Sequence, residues 1–313
     1  MAPDLLTAGR LVTALLNLAV ALLTGTALAR LWLGRDASAW AAARRPPVRH
    51  AAVAAIVAAL LADAALLWIE SAAMAEVPLA EAGAATWTML HATHLGLAWA
   101  IGMAGLVAAA AAACLPGKRN AAPAMLTLAA LGVFWYTRSM VSHADSEGDF
   151  SLPLLADWIH LGLISVWVGE VLVAGGIMLK PSGPMAADDR RARSAYVASL
   201  SASATIALAG IFVTGLYASW RNLGGFANLL GNPYGATLVA KLLLVGIAAL
   251  LGGFNRFVVM PPWLAREAAG QAAPAPLPAR FRRVLLVEAA ILLAVVVAAA
   301  WLASTSPPAD LMS

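Results

Sequence analysis

Four of the five histidines in this chain fall within or at the edge of apolar runs: His91 and His94 in one, His143 at the end of the next, and His160 in the one after. Imidazole ligates copper, zinc, iron and nickel, and ionisable groups inside a bilayer are costly enough to mark function. His91 and His94 are spaced i, i+3, which puts them on one face of a continuous helix. Met140 and His143 repeat the spacing, and so do Asp157 and His160. The order HATH, MVSH, DWIH brings three neighbouring helices to one depth. These spacings predict a metal site of His91, His94, His143 and His160, with Met140 and Asp157 as further donors. The competing reading is that the imidazoles only hydrogen-bond between helices, and that His143, beside Asp145 and Glu147, is a solvated loop residue.

Imidazole with thioether suits copper, because soft sulfur favours Cu(I) while imidazole accepts either oxidation state. Met74, Met89, Met103 and Met140 all qualify by span and depth, and Met140 alone shares a face with a histidine near the water boundary. Asp157 is placed to hold the ring N–H of His160, the usual device for orienting a metal-binding histidine, or to ligate directly. A different chemistry is also open. Histidines on facing helices can be the axial ligands of haem b, with His94 and His160 the natural pair, in an electron carrier or quinol oxidoreductase. All four histidines at one depth speak against a chain of two haems. A structural or sensory subunit is a third reading. His50, next to Arg49 in a basic segment, is expected to have no role.

The elements that position these residues follow from composition. Hydrophobic residues make up 62% and charged residues 12%, about half the charged share of soluble domains, so most of the chain belongs in a bilayer. Apolar runs of about 20 residues occur at 11–33, 51–71, 86–113, 122–142, 154–179, 196–219, 235–257 and 283–303. They lack the alternation of barrel strands, so the fold class is all-α: a polytopic transmembrane bundle of eight helices in one domain, 1–313.

Charge placement orients it. Arg35, Arg44, Arg45, Arg49, Lys118, Arg119, Lys180, Arg190, Arg191, Arg193, Arg266, Arg280, Arg282 and Arg283 occupy odd-numbered connections. Glu76, Glu81, Asp145, Glu147 and Asp149 occupy even ones, with Arg221 the basic exception. The positive-inside rule makes the odd connections cytoplasmic and both termini periplasmic. The pI of about 9.6 is therefore a topology signal and not a nucleic-acid surface. The first apolar run, with its charges reversed relative to a secretory signal, is expected to be an uncleaved helix. The stretch 258–282, rich in Pro and Ala, is expected to be a mobile linker. The single Cys114 precludes an internal disulfide and reads as packing. Without a GxxxxGK[ST] loop, ATP-driven transport by this chain alone is not expected.

Asp63, Arg138, Glu170, Lys241 and Glu288 are the other ionisable residues inside the runs. Arg138 can neutralise a carboxylate such as Asp157, and Glu170 with Lys241 could mark a route inward or form structural pairs. A weak internal echo links Thr93-His94-Leu95-Gly96 with Pro233-Tyr234-Gly235, four spans apart in the same direction. Two parallel four-helix halves, 1–150 and 151–313, would produce it; so would chance.

Several of these segments together resemble the copper resistance protein D (CopD) family. Asp157-Trp158-Ile159-His160 with Trp167-Val168-Gly169 is similar to its D-x-x-H…W-x-G element, and Ser142-His143-Ala144 to its (S/G)-H-A step. Asn232-Pro233-Tyr234-Gly235, Lys241-Leu242 and Asn255-Arg256 resemble its Y-G-x-x-L-x-x-K-L…N-R stretch, and His94-Leu95-Gly96-Leu97-Ala98-Trp99 its H-x-G-x-x-W pattern. Glu170 departs from it, standing where a second Gly is usual. The resemblance implies a non-enzymatic bacterial inner-membrane protein of copper resistance, moving periplasmic copper toward the cytoplasm. Its expected partners are copper ion, membrane lipid and a periplasmic copper-binding protein.

Overall fold

The computed structural model describes residues 3–34, 36–115, 120–142, 148–230 and 232–308. His143, Asp145 and Glu147 lie outside the described residues, as do Arg35, Lys118 and Arg119. Among the described residues the chain is helical, without strands. The helices are α1 (Pro3–Leu33), α2 (Ala39–Met74), α3 (Gly83–Ala92), α4 (His94–Cys114), α5 (Ala122–Ser139), α6 (Leu152–Val173), α7 (Ala187–Leu223), α8 (Pro233–Phe254), α9 (Met260–Ala268) and α10 (Pro276–Ala303). Seven helical segments are long and apolar enough to cross a membrane. The eighth expected span, 122–142, is the 18-residue α5, whose final turn carries Tyr136, Thr137 and Arg138. The protein is a multi-pass helical membrane bundle.

Three sequence expectations change. The run 86–113 is not one helix: Thr93 adopts an extended backbone (φ −127°, ψ 154°) and breaks it into α3 and α4. The basic residues Arg44, Arg45 and Arg49 belong to α2, which begins at the Ser38 cap, well before the apolar run. The expected linker 258–282 is largely helical. α8 passes through a π turn (Asn255–Val259) into α9, whose Trp263 is fully buried against Phe281 and beneath the Arg193 guanidinium. Glu267 then takes Arg190 at 3.1 Å and Arg193 at 3.6 Å. A buried indole and a paired carboxylate fasten this stretch, and Pro/Ala content alone could not reveal that.

Among the described residues, Arg30 and Arg44 mark one end of the bundle. Arg30 donates to Ala113 O and Leu115 O, Arg44 to Lys180 O and Ser182 Oγ, and the Trp40 N–H to Asp189. At the other end Arg10 reaches Ser304 and lies over Trp301. We call the two faces the basic end and the histidine end.

At the centre α1 crosses α6 so closely that a Cβ on Gly169 would lie 1.9 Å from Ala21 O, and one on Gly25 would lie 2.1 Å from Gly169 O. Two glycines facing each other let the backbones meet, the usual device for tight helix packing in a bilayer. Around this crossing α1 packs on α2 and α5, and α6 packs on α7 and α10. Successive helices from α1 to α7 pack together, whereas α7 and α8 scarcely touch.

Candidate metal centre

The break at Thr93 decides where the first two histidines point. The Thr93 hydroxyl accepts from the Gly96 N–H (3.0 Å), capping α4, and itself donates to Met89 O (2.7 Å). A Cβ on Gly96 would lie 2.1 Å from Met89 O, so this turn closes only around glycine. His91 therefore ends α3 and His94 begins α4, and they do not share one helix face. His91 donates from Nδ1 to Trp87 O (2.8 Å) and lies against the Trp87 ring at 4.0 Å between centroids. A carbonyl can only accept, so the proton sits on Nδ1 and Nε2 carries the lone pair.

His94 sets Nε2 at 3.2–3.3 Å from the two carboxylate oxygens of Asp149. This is the carboxylate–imidazole pairing common behind metal ligands. Asp149 lies on the segment entering α6, and the Tyr136 hydroxyl holds that segment through Asp149 O. In the sequence Asp149 reads only as a loop charge.

His160 lies on α6, facing α7. Its Nδ1 is 2.8 Å from Thr214 Oγ1, and that hydroxyl spends its hydrogen on Gly210 O (2.7 Å). Thr214 must then accept from Nδ1–H, so Nε2 again carries the lone pair. Gly215 leaves room for the ring, since a Cβ there would lie 3.2 Å from His160 Cε1. Thr214, and not Asp157, orients His160. Asp157 instead accepts from Ser142 Oγ (3.1 Å), with the charges of Arg138 and Lys241 in electrostatic reach. Lys241 also acts on His160.

Met140 ends α5, 8% exposed, packed with Ala98, Leu154 and Tyr136 in an apolar cluster at the histidine end. Met89 accepts a hydrogen bond from Ser71 Oγ at sulfur (3.3 Å), while Met74 is 70% exposed. Among the described residues no three His, Cys, Asp or Glu side chains lie close enough to hold one metal ion. The arrangement is a set of separately oriented donors on α3, α4, α5 and α6.

Residues 5–152 match the family model described as copper resistance protein D-like, N-terminal domain, and residues 194–302 match that of copper resistance protein D. Copper resistance protein D of Pseudomonas syringae pv. tomato is 28% identical over 261 residues, 79% of this chain and 83% of that relative. The chain belongs to the copper resistance protein D family. No solved structure matches it.

The CopD segments now have places. Trp167 donates to Glu288 Oε1 of α10 (3.0 Å), Gly169 makes the α1 crossing, and Arg256 donates to Ser201 O and Oγ of α7. Glu170, the departure from the CopD pattern, is buried and accepts from Ser203 Oγ of α7. The internal echo has a structural counterpart as well. Asn232 Oδ1 accepts from the Gly235 N–H (2.8 Å) at the start of α8, as Thr93 does for Gly96, and a Cβ on Gly235 would lie 2.5 Å from Asn228 O. Each of the two helices follows a short helical segment and starts with a polar cap three residues before an obligatory glycine.

Proposed function

We propose that the protein binds copper at its histidine end and moves it across the bacterial inner membrane, with that end and both termini periplasmic. His91, His94, His143 and His160 are the ligating imidazoles, with Met140 as thioether donor and Asp157 as carboxylate beside His160. The observation that carries this reading is the state of the rings. His91 and His160 each spend Nδ1–H on a fixed acceptor and present Nε2, and His94 backs onto a carboxylate.

A metal ion needs its ligand atoms at about 2.0–2.3 Å, closer together than these side chains stand. α3 is short and joins α4 through the extended Thr93, so loading asks for side-chain rotation of His91 and His94 about a fixed turn. Two parallel halves, 1–150 and 151–313, would then load copper where their capped turns meet the surface, from a periplasmic copper-binding protein.

Purified wild-type protein and variants should be compared for copper stoichiometry and for copper accumulation in cells. His94→Ala and His160→Ala are expected to lose most bound copper, and His50→Ala none. Wild-type binding in both His94→Ala and His160→Ala would refute the site. A haem absorption band in the purified protein, lost in the same variants, would assign the histidines to haem b instead.

A further inference from the structure

A cavity of about 220 Å³ lies in the basic half of the bundle, away from the histidines, between α6, α7, α8 and α10. Its walls are mainly apolar, with Leu200 and Ala204 from α7, Ala249 from α8 and Leu285 from α10. The CopD signature residues Trp167, Asn255 and Arg256 all line it, together with Glu288.

Two of its polar side chains are incompletely bonded. Glu288, 2% exposed, accepts from the Trp167 indole through Oε1, but its Oε2 has no partner among the described residues. Asn255, 3% exposed, donates to Phe281 O, and its Oδ1 likewise has none among them. Buried acceptors are rarely left unmet, so an occupant carrying hydrogen-bond donors is called for.

The way in is lateral. α7 and α8 scarcely touch, whereas the corresponding α2 and α4 of the other half pack together. Phe257, which lines the cavity, is 74% exposed on the apolar outer surface. An occupant entering here comes from the bilayer. It must be membrane-dissolved, carry hydroxyl or amine donors, and present a head near the size of one substituted ring, since a cavity of about 150 Å³ accommodates benzene. A phospholipid acyl chain brings no donor and leaves both oxygens unmet.

We propose that this cavity binds an isoprenoid quinol. The ring occupies the cavity, its two hydroxyls donate to Glu288 Oε2 and Asn255 Oδ1, and the tail leaves between α7 and α8. This is a binding site, with no electron transfer assigned to it, and it stands independently of copper loading at the histidines.

The test is photolabelling of the full-length protein in nanodiscs with an azido-ubiquinol kept reduced, followed by peptide mapping. Label is expected on segments 200–208 and 249–257, displaced by decylubiquinol. Glu288→Leu removes an acceptor and should weaken labelling about tenfold. Ala204→Phe fills the cavity without removing any hydrogen bond, so it should fold and lose labelling at least as fully. Labelling elsewhere, or unchanged labelling in Ala204→Phe, would overturn the proposal. So would displacement by added phosphatidylglycerol, or equal displacement by decylubiquinone, which has no hydroxyl donors.

Discussion

Everything placed by α6 depends on its crossing with α1, and that crossing can be tested with a single methyl group. In Gly169→Ala the new Cβ would stand 1.9 Å from Ala21 O and 2.7 Å from Gly25 N, against a working minimum of 3.0 Å. Both obstacles are backbone, so no side chain can rotate away. The helices must separate by roughly 1 Å, loosening a close-packed interface over its whole length. Overpacking of this kind costs about 1–3 kcal/mol where side chains adapt, and a backbone clash belongs at or above the upper figure.

Gly246 supplies the control, since it is also helical but a Cβ there would meet nothing within 4 Å. Gly246→Ala gains helix propensity, about 0.5–1 kcal/mol, with no steric cost. The same chemical change should thus lower the melting temperature at 169 and leave it equal or higher at 246. Monodispersity after heating, read by size-exclusion chromatography, measures both. Melting of Gly169→Ala at or above the wild-type temperature would refute the packing argument. If the crossing also aligns the site, copper binding by Gly169→Ala at low temperature should weaken together with its stability.

Two further outcomes probe the histidines through the residues behind them. Asp149→Asn keeps a hydrogen-bond acceptor beside His94 but removes the charge, and copper affinity measured by competition with a chromophoric chelator should fall about 10–100-fold. Thr214→Val removes the acceptor of His160 Nδ1–H and should weaken copper binding to a similar degree, with Thr214→Ser restoring it; equal losses in Val and Ser variants would show a packing role instead.

The sequence disclosed the bundle because lipid imposes a coarse code. Apolar runs of about 20 residues and arginines gathered at one end are averages over many positions, and a wrong residue here or there does not erase them. The site was legible only as residue types. Reading 86–113 as one helix put His91 and His94 on a common face, but the Thr93 hydroxyl does locally what a backbone ladder would otherwise do, and α4 starts afresh there. The expected echo at Thr93 and Pro233 registered the glycines but not the polar caps three residues before them, Thr93 and Asn232. Its meaning depends on how close the preceding backbone comes, which no periodicity reports. The partner of His160 was hidden for the same reason. Asp157 is three residues away on the same helix, whereas Thr214 comes from α7, and only the packing of α6 on α7 decides between them.

The difference between the two ends of the chain then follows from that packing. In the N-terminal portion α2 and α4 close on each other, and the buried Asp63 faces a gap of only about 20 Å³. In the C-terminal portion α8 is drawn onto α10 and α9 is tied to α7 through Glu267, so the outward side of α7 and α8 is left open. The same short polar-cap-to-glycine turn starts α4 and α8, while Asp63 stands at the small gap and Glu288 lines the larger cavity.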